Sequence, residues 1–202
     1  MNQQELETLT QAVLGRLFVE VEASGRHVHL TREQAVALFG HDLTPHRPLS
    51  QPGQFLAKER LTIRTPKGEF TGVAVLGPAR KEAQVELSLT DARMLGLEAP
   101  VRLSGSTQGT PGIDLIGPCG SVHLEHGVLA AKRHIHLTPE DAARFRVKDG
   151  QEVRLQMFSA RPVIFEAVTV RVSPDFAPRA HLDYDEANAC GLRPGDLGRI
   201  LP

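Results

Sequence analysis

The chain has 202 residues, 41% of them apolar, which is enough for one substantial core or two small ones. A formal net charge of −1, no Trp and a single Tyr leave neither a basic footprint nor a stacking platform, so no nucleic-acid partner and no membrane partner are expected. Two distant cysteines, Cys119 and Cys190, argue for a reducing compartment. With no apolar run near the roughly 20 residues that span a bilayer and no secretory-signal pattern, the expectation is a soluble, cytoplasmic protein.

Residues 1–17 carry Leu6, Leu9, Val13 and Leu17 at helical spacing, so the first expected element is an amphipathic helix, either packed on the domain behind it or acting as a docking peptide. Phe18 to Ala23 alternates apolar and acidic residues as a strand does. It leads into Arg26-His27-Val28-His29-Leu30-Thr31. In an extended strand the two imidazoles of a His-x-His pair share one face while Val28 faces the other. Thr31, three residues before Gln34, reads as the N-cap of a helix that Gly40 ends. An irregular loop is expected over 41–60, then a hairpin from Arg60 to Leu76 turning at Pro66-Lys67-Gly68. Gln84 to Leu89 reads as a strand followed by a short helix, and the Gly- and Pro-rich stretch 105–120 as a crossing segment between two halves.

The chain then repeats itself. Arg133-His134-Ile135-His136-Leu137-Thr138 matches the first histidine stretch, with Thr138 capping a helix that begins at Pro139. Strands are expected at 152–156, 163–166 and 169–172. Val85 to Ala92 can be laid over Ala180 to Ala187, and in that superposition Glu86 falls on His181. Each half thus offers two histidines from one strand and one further donor from a later strand that again enters a capped helix. Many short strands with few short helices point to a mainly β fold of small barrels or sandwiches.

His27, His29, Glu86, His134, His136 and His181 are nitrogen and oxygen donors of the kind that bind zinc, and six donors over two ions average three each, which leaves an open, catalytic position. A single His-x-His is more often a surface or core pair; the duplication is what favours a metal reading. His41, His46, His123 and His126 have no counterpart in the other half and are expected to be loop or surface residues. Arg80, after the Gly77-Pro78 turn, is suited to grip phosphate bidentately. No P-loop, dinucleotide fingerprint or Gly-x-Ser-x-Gly elbow is present in the sequence, and Cys190 reads as a small core residue rather than a nucleophile.

Ser24-Gly25-Arg26-His27-Val28-His29-Leu30, Ser50-Gln51-Pro52-Gly53-Gln54-Phe55, Leu76-Gly77-Pro78 with Arg80, Gln84-Val85-Glu86, Gly109-Thr110-Pro111-Gly112, Ala131 to Leu137, and His181-Leu182-Asp183 with Asp185-Glu186-Ala187-Asn188-Ala189 resemble the PduL-type phosphate propanoyltransferase (phosphotransacylase) family, in order and from about residue 19 to 195. The resemblance implies two pseudo-symmetric helix-capped β-barrels with the active site between them. The first barrel would span 26–131, and the second would combine 18–25 with 132–202. It implies reversible exchange between a short-chain acyl-CoA, propanoyl-CoA or acetyl-CoA, and inorganic phosphate, giving acyl phosphate and coenzyme A at a di-zinc site. The metal role would fall on His27, His29, Glu86, His134, His136 and His181, phosphate binding on Arg80, and contacts to CoA on Ser24, Leu76 and Asn188. A homodimer is common in the family. Similar N-terminal helices target relatives to a bacterial microcompartment, through its shell or lumen proteins. The alternative reading of the same donors is a metal-dependent hydrolase of a phosphoester or thioester, with water as the nucleophile. A third is a non-catalytic, zinc-stabilised binding module.

Overall fold

The computed structural model describes residues 2–201; Met1 and Pro202, the outermost residues of the first and last expected segments, lie outside the described residues, as do the side chains of Gln11 and Ala12. The elements begin with α1 (Gln3–Leu17), β1 (Val19–Ser24), β2 (His27–His29), α2 (Arg32–Phe39), β3 (Pro45–Pro48), β4 (Phe55–Thr65), β5 (Gly68–Gly77) and β6 (Gln84–Leu87). There follow α3 (Leu89–Met94), β7 (Val101–Arg102), β8 (Ile113–Ile116), β9 (Ser121–Leu124), β10 (Val128–Ala131) and β11 (His134–Leu137). The chain closes with α4 (Pro139–Phe145), β12 (Glu152–Phe158), β13 (Ile164–Val172), β14 (Arg179–Asp183), α5 (Tyr184–Cys190) and β15 (Leu197–Leu201). The fold is mainly β with short helices, as expected.

Two compact units divide the chain: Met1–Ala23 with Arg133–Pro202, and Ser24–Lys132. In the first, a closed six-stranded barrel runs in the order β1-β14-β11-β13-β12-β15. Its core is built from alternate residues of these strands, among them Val19, Val21, Ile135, Leu155 and Leu182. In the second, a nine-stranded sheet runs β7-β10-β6-β2-β5-β4-β8-β9, with β3 paired to β4 off this path. Its core gathers Val28, Leu38, Ile63, Val75, Val85 and Leu115.

The two units repeat one local topology. β2 pairs parallel with β5 and antiparallel with β6, and β11 pairs parallel with β13 and antiparallel with β14. Both histidine strands run straight into capped helices. Thr31 accepts from the backbone N–H of Gln34 while Gln34 caps back on Thr31, and Thr138 and Asp141 do the same with Pro139 in the first turn. Gly40 ends α2 in the left-handed region at φ 80°, a conformation a side chain would strain.

Several segments differ from expectation. The expected loop over 41–60 contains β3 and the start of β4, because Pro45 and Pro48 sit on an edge strand, where a missing N–H is tolerated. Stretch 105–120 does not cross between halves. It stays in the second unit, where β8 adds to β4 as the next strand, and its Gly and Pro residues serve turns. The strands expected at 163–166 and 169–172 are one, β13, interrupted by a bulge at which the register shifts against β12 and Ala167 takes φ 52°. The N-terminal helix forms with a full capping box from Asn2 and Glu5, yet Leu6, Leu9, Val13 and Leu17 are about half exposed. Only Phe18 separates it from β1, and the ring of Phe18 meets that of Phe158 edge-on at 5.2 Å.

Candidate metal and substrate site

Strand alternation and register together build two donor groups. The backbone of His27 lies opposite Glu86 across β2 and β6, and that of His134 lies opposite His181 across β11 and β14. Side chains facing each other across an antiparallel pair share a face, so each third donor joins the two histidines of its neighbour strand. Between each pair of histidines, Val28 and Ile135 are fully buried in their respective cores and hold the strand in place.

In the second unit the donor atoms of His27, His29 and Glu86 all lie within 4.8 Å of one another. His27 Nε2 is 3.2 Å from His29 Nε2 and 3.6 Å from Glu86 Oε2, and His29 Nε2 is 4.0 Å from Glu86 Oε1. Ligand atoms around a tetrahedral zinc with bonds of about 2.0–2.1 Å stand about 3.3 Å apart, so the spacing fits a shared ion. The Nδ1–H of His27 donates to the Gly25 carbonyl at 2.8 Å, which leaves the Nε2 lone pair directed at the other donors. Burial works against a charged His27, but the Glu86 carboxylate and the Gly25 carbonyl outweigh it and raise its pKa. Burial, with His27 and Arg80 nearby, holds His29 well below the usual range and hence neutral. Against the effect of burial, His27 and His29 keep Glu86 ionised. Neutral imidazole and ionised carboxylate are the forms that bind a metal, so His29 and Glu86 stand in those forms, while His27 gives up a proton to join them.

In the first unit, the donor atoms of His134, His136 and His181 also lie within 4.8 Å of one another. Their rings are 4.7 to 5.1 Å apart between centroids. Both ring nitrogens of His136 are buried with no hydrogen-bond partner among the described residues, an arrangement that is costly unless a ligand meets them. Burial first, then His134, His181 and Arg171, pushes the pKa of His136 down to about 2. The ring of Phe176 lies 4.1 Å from that of His136. Donor chemistry and geometry in both groups fit a divalent ion of the zinc type.

Arg80 lies beside the group of His27, His29 and Glu86. Its N–H donates to Leu30 O at 2.8 Å, and its guanidinium reaches Ser104 Oγ at 3.1 Å, close enough to act on the charges of both His27 and His29. Ahead of it, a Cβ on Gly77 would run into the ring of Phe55, so only glycine lets the turn approach β4 this closely. Leu76 lies in β5, where continuing the β2–β5 register sets it level with His29. Ser24 ends β1, and Asn188 is exposed on α5.

Gln84 and Ser104 stand against Glu86; the sequence names Gln84 only within the Gln84-Val85-Glu86 motif and does not name Ser104. The Gln84 amide donates to Glu86 Oε1 and to Ser104 Oγ, at 2.5 and 2.9 Å, while its carbonyl accepts from Gly105 N at 2.6 Å. Gln84 stands two residues before Glu86, so strand alternation carries its signal; Ser104 has none, because only the fold brings it there. Cys190 is fully buried in the barrel core, and burial pushes its thiol pKa up, as suits a core residue. His41, His46 and His123 are exposed, and half-buried His126 pairs with Glu82 at 2.9 Å.

Residues 20–193 match the sequence profile of the phosphate propanoyltransferase family. The chain is 56% identical to a phosphate propanoyltransferase of Enterococcus faecalis over 90% of its own length and 87% of that protein's. It belongs to this family. A phosphate propanoyltransferase of Listeria monocytogenes is 52% identical over 97% of this chain and 93% of its own, and one of Thermotoga maritima is 53% identical over 90% and 88%. Phosphate propanoyltransferases are acyltransferases, and both donor groups and Arg80 lie within the matched span.

Proposed function

We propose that the protein transfers a short acyl group, propanoyl or acetyl, reversibly between coenzyme A and inorganic phosphate, with one zinc ion in each donor group. The duplicated three-donor group, buried at every donor but the intermediate His181 and with His136 unsatisfied, is the observation that carries the metal assignment. Family membership supports the acyl-CoA and phosphate substrates.

Zinc, when bound, supplies a Lewis acid that stabilises a thiolate and polarises phosphate or carbonyl oxygens. The remaining steps belong to the chain's own side chains. The Gly25 carbonyl fixes the His27 tautomer, and Gln84 with Ser104 fixes the orientation of Glu86. Arg80 presents its guanidinium to phosphate and neutralises part of its charge. A phosphate oxygen attacks the thioester carbonyl carbon, the tetrahedral centre collapses with cleavage of the C–S bond, and coenzyme A leaves as the thiolate, to be protonated by solvent. Phosphate is itself the nucleophile, so no acyl-enzyme forms, in keeping with the buried state of Cys190. Ser24, Leu76 and Asn188 are assigned to the coenzyme A border.

Release of thiol from propanoyl-CoA and acetyl-CoA, measured with and without phosphate beside elemental analysis, tests the reading. Phosphate-dependent release with two zinc ions per chain is expected. Release that proceeds equally without phosphate would replace it with the hydrolase reading. The exposed apolar stripe of α1 supports a partner-binding role for that helix, with a microcompartment protein as the partner.

A further inference from the structure

The duplication extends past the donors to a second set of side chains. Arg26, directly before His27, grips Asp91 with a forked pair of hydrogen bonds, Nε to Oδ2 at 3.0 Å and Nη2 to Oδ1 at 2.9 Å. Its guanidinium carbon lies 4.1 Å from the centre of the Phe70 ring. Arg133, directly before His134, donates through Nη1 to Glu186 Oε1 at 2.6 Å and through Nε to the Glu166 carbonyl at 2.6 Å. It stands 5.9 Å from the centre of the Phe165 ring.

The correspondence is positional as well as chemical. Asp91 follows Glu86 by five residues and Glu186 follows His181 by five, and the same chain separation relates Phe70 to Phe165 as relates Glu86 to His181. Both carboxylates sit at the third position of the helix that follows the third-donor strand, where the backbone N–H groups of Asp91 and Glu186 donate to the N-cap side chains of Ser88 and Asp183.

We propose that Arg26 with Asp91 and Phe70, and Arg133 with Glu186 and Phe165, are paired positioning clamps that fix each His-x-His strand relative to the strand bearing its third metal donor. The reading rests on the assignment of the donor groups as metal ligands. Strand lengths supply the physical need. β2 has three residues and β6 four, β11 four and β14 five, so each ladder has few hydrogen bonds with which to resist slipping or splaying. A metal site tolerates little such play, because ligand atoms displaced by about 0.5 Å no longer meet one ion. The arginine locks the beginning of the histidine strand to the helix that ends the partner strand. The planar fork gives the lock a direction, and a lysine would supply the charge without it. The Phe70 ring holds the Arg26 guanidinium over its face at 4.1 Å, and Phe165 stands further from Arg133 at 5.9 Å.

Cobalt(II) is the probe, added to chelator-stripped full-length protein and followed by its visible absorption and by competition with a chromophoric chelator. A His136→Ala background isolates the Glu86 group, and a His27→Ala background isolates the three-histidine group. In the first background Arg26→Lys and Asp91→Asn are expected to weaken cobalt binding roughly 10- to 100-fold and to shift the absorption bands, while Asp91→Glu restores most of the affinity. Arg133→Lys and Glu186→Gln should do this only in the second background. Melting of the metal-free variants by circular dichroism reports folding separately. Unchanged cobalt affinity and bands in the lysine and amide variants would overturn the clamps, whether or not the melting temperature falls. Equal weakening of both groups by an Arg26 variant would overturn them as well. Failure of the unmutated protein to take up cobalt would instead overturn the metal reading itself, and the clamps with it.

Discussion

His27 stands directly opposite Glu86 across the β2–β6 ladder, and that single register decides which carboxylate completes the donor group. A slip by one residue would turn Glu86 to the other face and bring Val85 or Leu87 in its place. The same holds for His134 and His181, with Ala180 or Leu182 as the residues a slip would present.

Because each group stands in its own unit, loss of one donor should empty one group and spare the other. His27→Ala and His136→Ala are each expected to fall from two zinc ions per chain to one by elemental analysis, and to lose roughly 100-fold or more in turnover. Chelation of the unmutated protein should abolish turnover, and zinc should restore it.

Arg80→Ala removes a charge-assisted grip of about 1.5–3 kcal/mol, equivalent to a roughly 10- to 150-fold rise in KM for phosphate. KM for acyl-CoA should stay within about 2-fold, given the partner roles assigned above. Initial rates with each substrate varied at saturation of the other measure the split, and equal effects on both would remove Arg80 from the phosphate site.

Direct attack by phosphate leaves nothing on the protein. After incubation with labelled acyl-CoA and rapid removal of free coenzyme A, intact-mass measurement should find the unmodified chain. A stable adduct of the acyl mass would require a two-step mechanism in its place.

Ile135 fills the barrel core beneath the second donor group and is fully buried. Ile135→Val should lower stability by about 0.5–1.5 kcal/mol and Ile135→Ala by about 2–5 kcal/mol in denaturant titrations. The alanine variant should also bind zinc less tightly, since the strand loses its anchor between His134 and His136.

Leu6, Leu9, Val13 and Leu17 of α1 are about half exposed, and none of these four belongs to either core cluster. Removal of residues 2–17 should therefore leave the melting temperature within a few degrees of the full chain and the phosphate-dependent activity intact. If the helix serves as a docking peptide, the shortened chain should lose co-sedimentation with microcompartments that retain the full-length chain. A large fall in stability would show that the helix is a structural part of the barrel.

Local chemistry made much of this legible in advance. His-x-His in a strand can only present both rings together, the Thr31 and Thr138 caps follow from residue type and spacing, and the repeat aligns Glu86 with His181 without coordinates. What the order of residues could not express is which strands pair, since pairing is settled by burial and ladder closure between distant segments. Stretch 105–120 looked like a connector because glycine and proline mark any turn, and only packing against β4 shows β8 to be part of a sheet. Ser104 reaches Glu86 through Gln84 by the same route, and the Arg26–Asp91 and Arg133–Glu186 pairs join residues far apart in the chain. The sequence by itself determined which donors and caps exist; the tertiary structure decided which of them meet, because strand register is a property of the folded sheet rather than of any one segment.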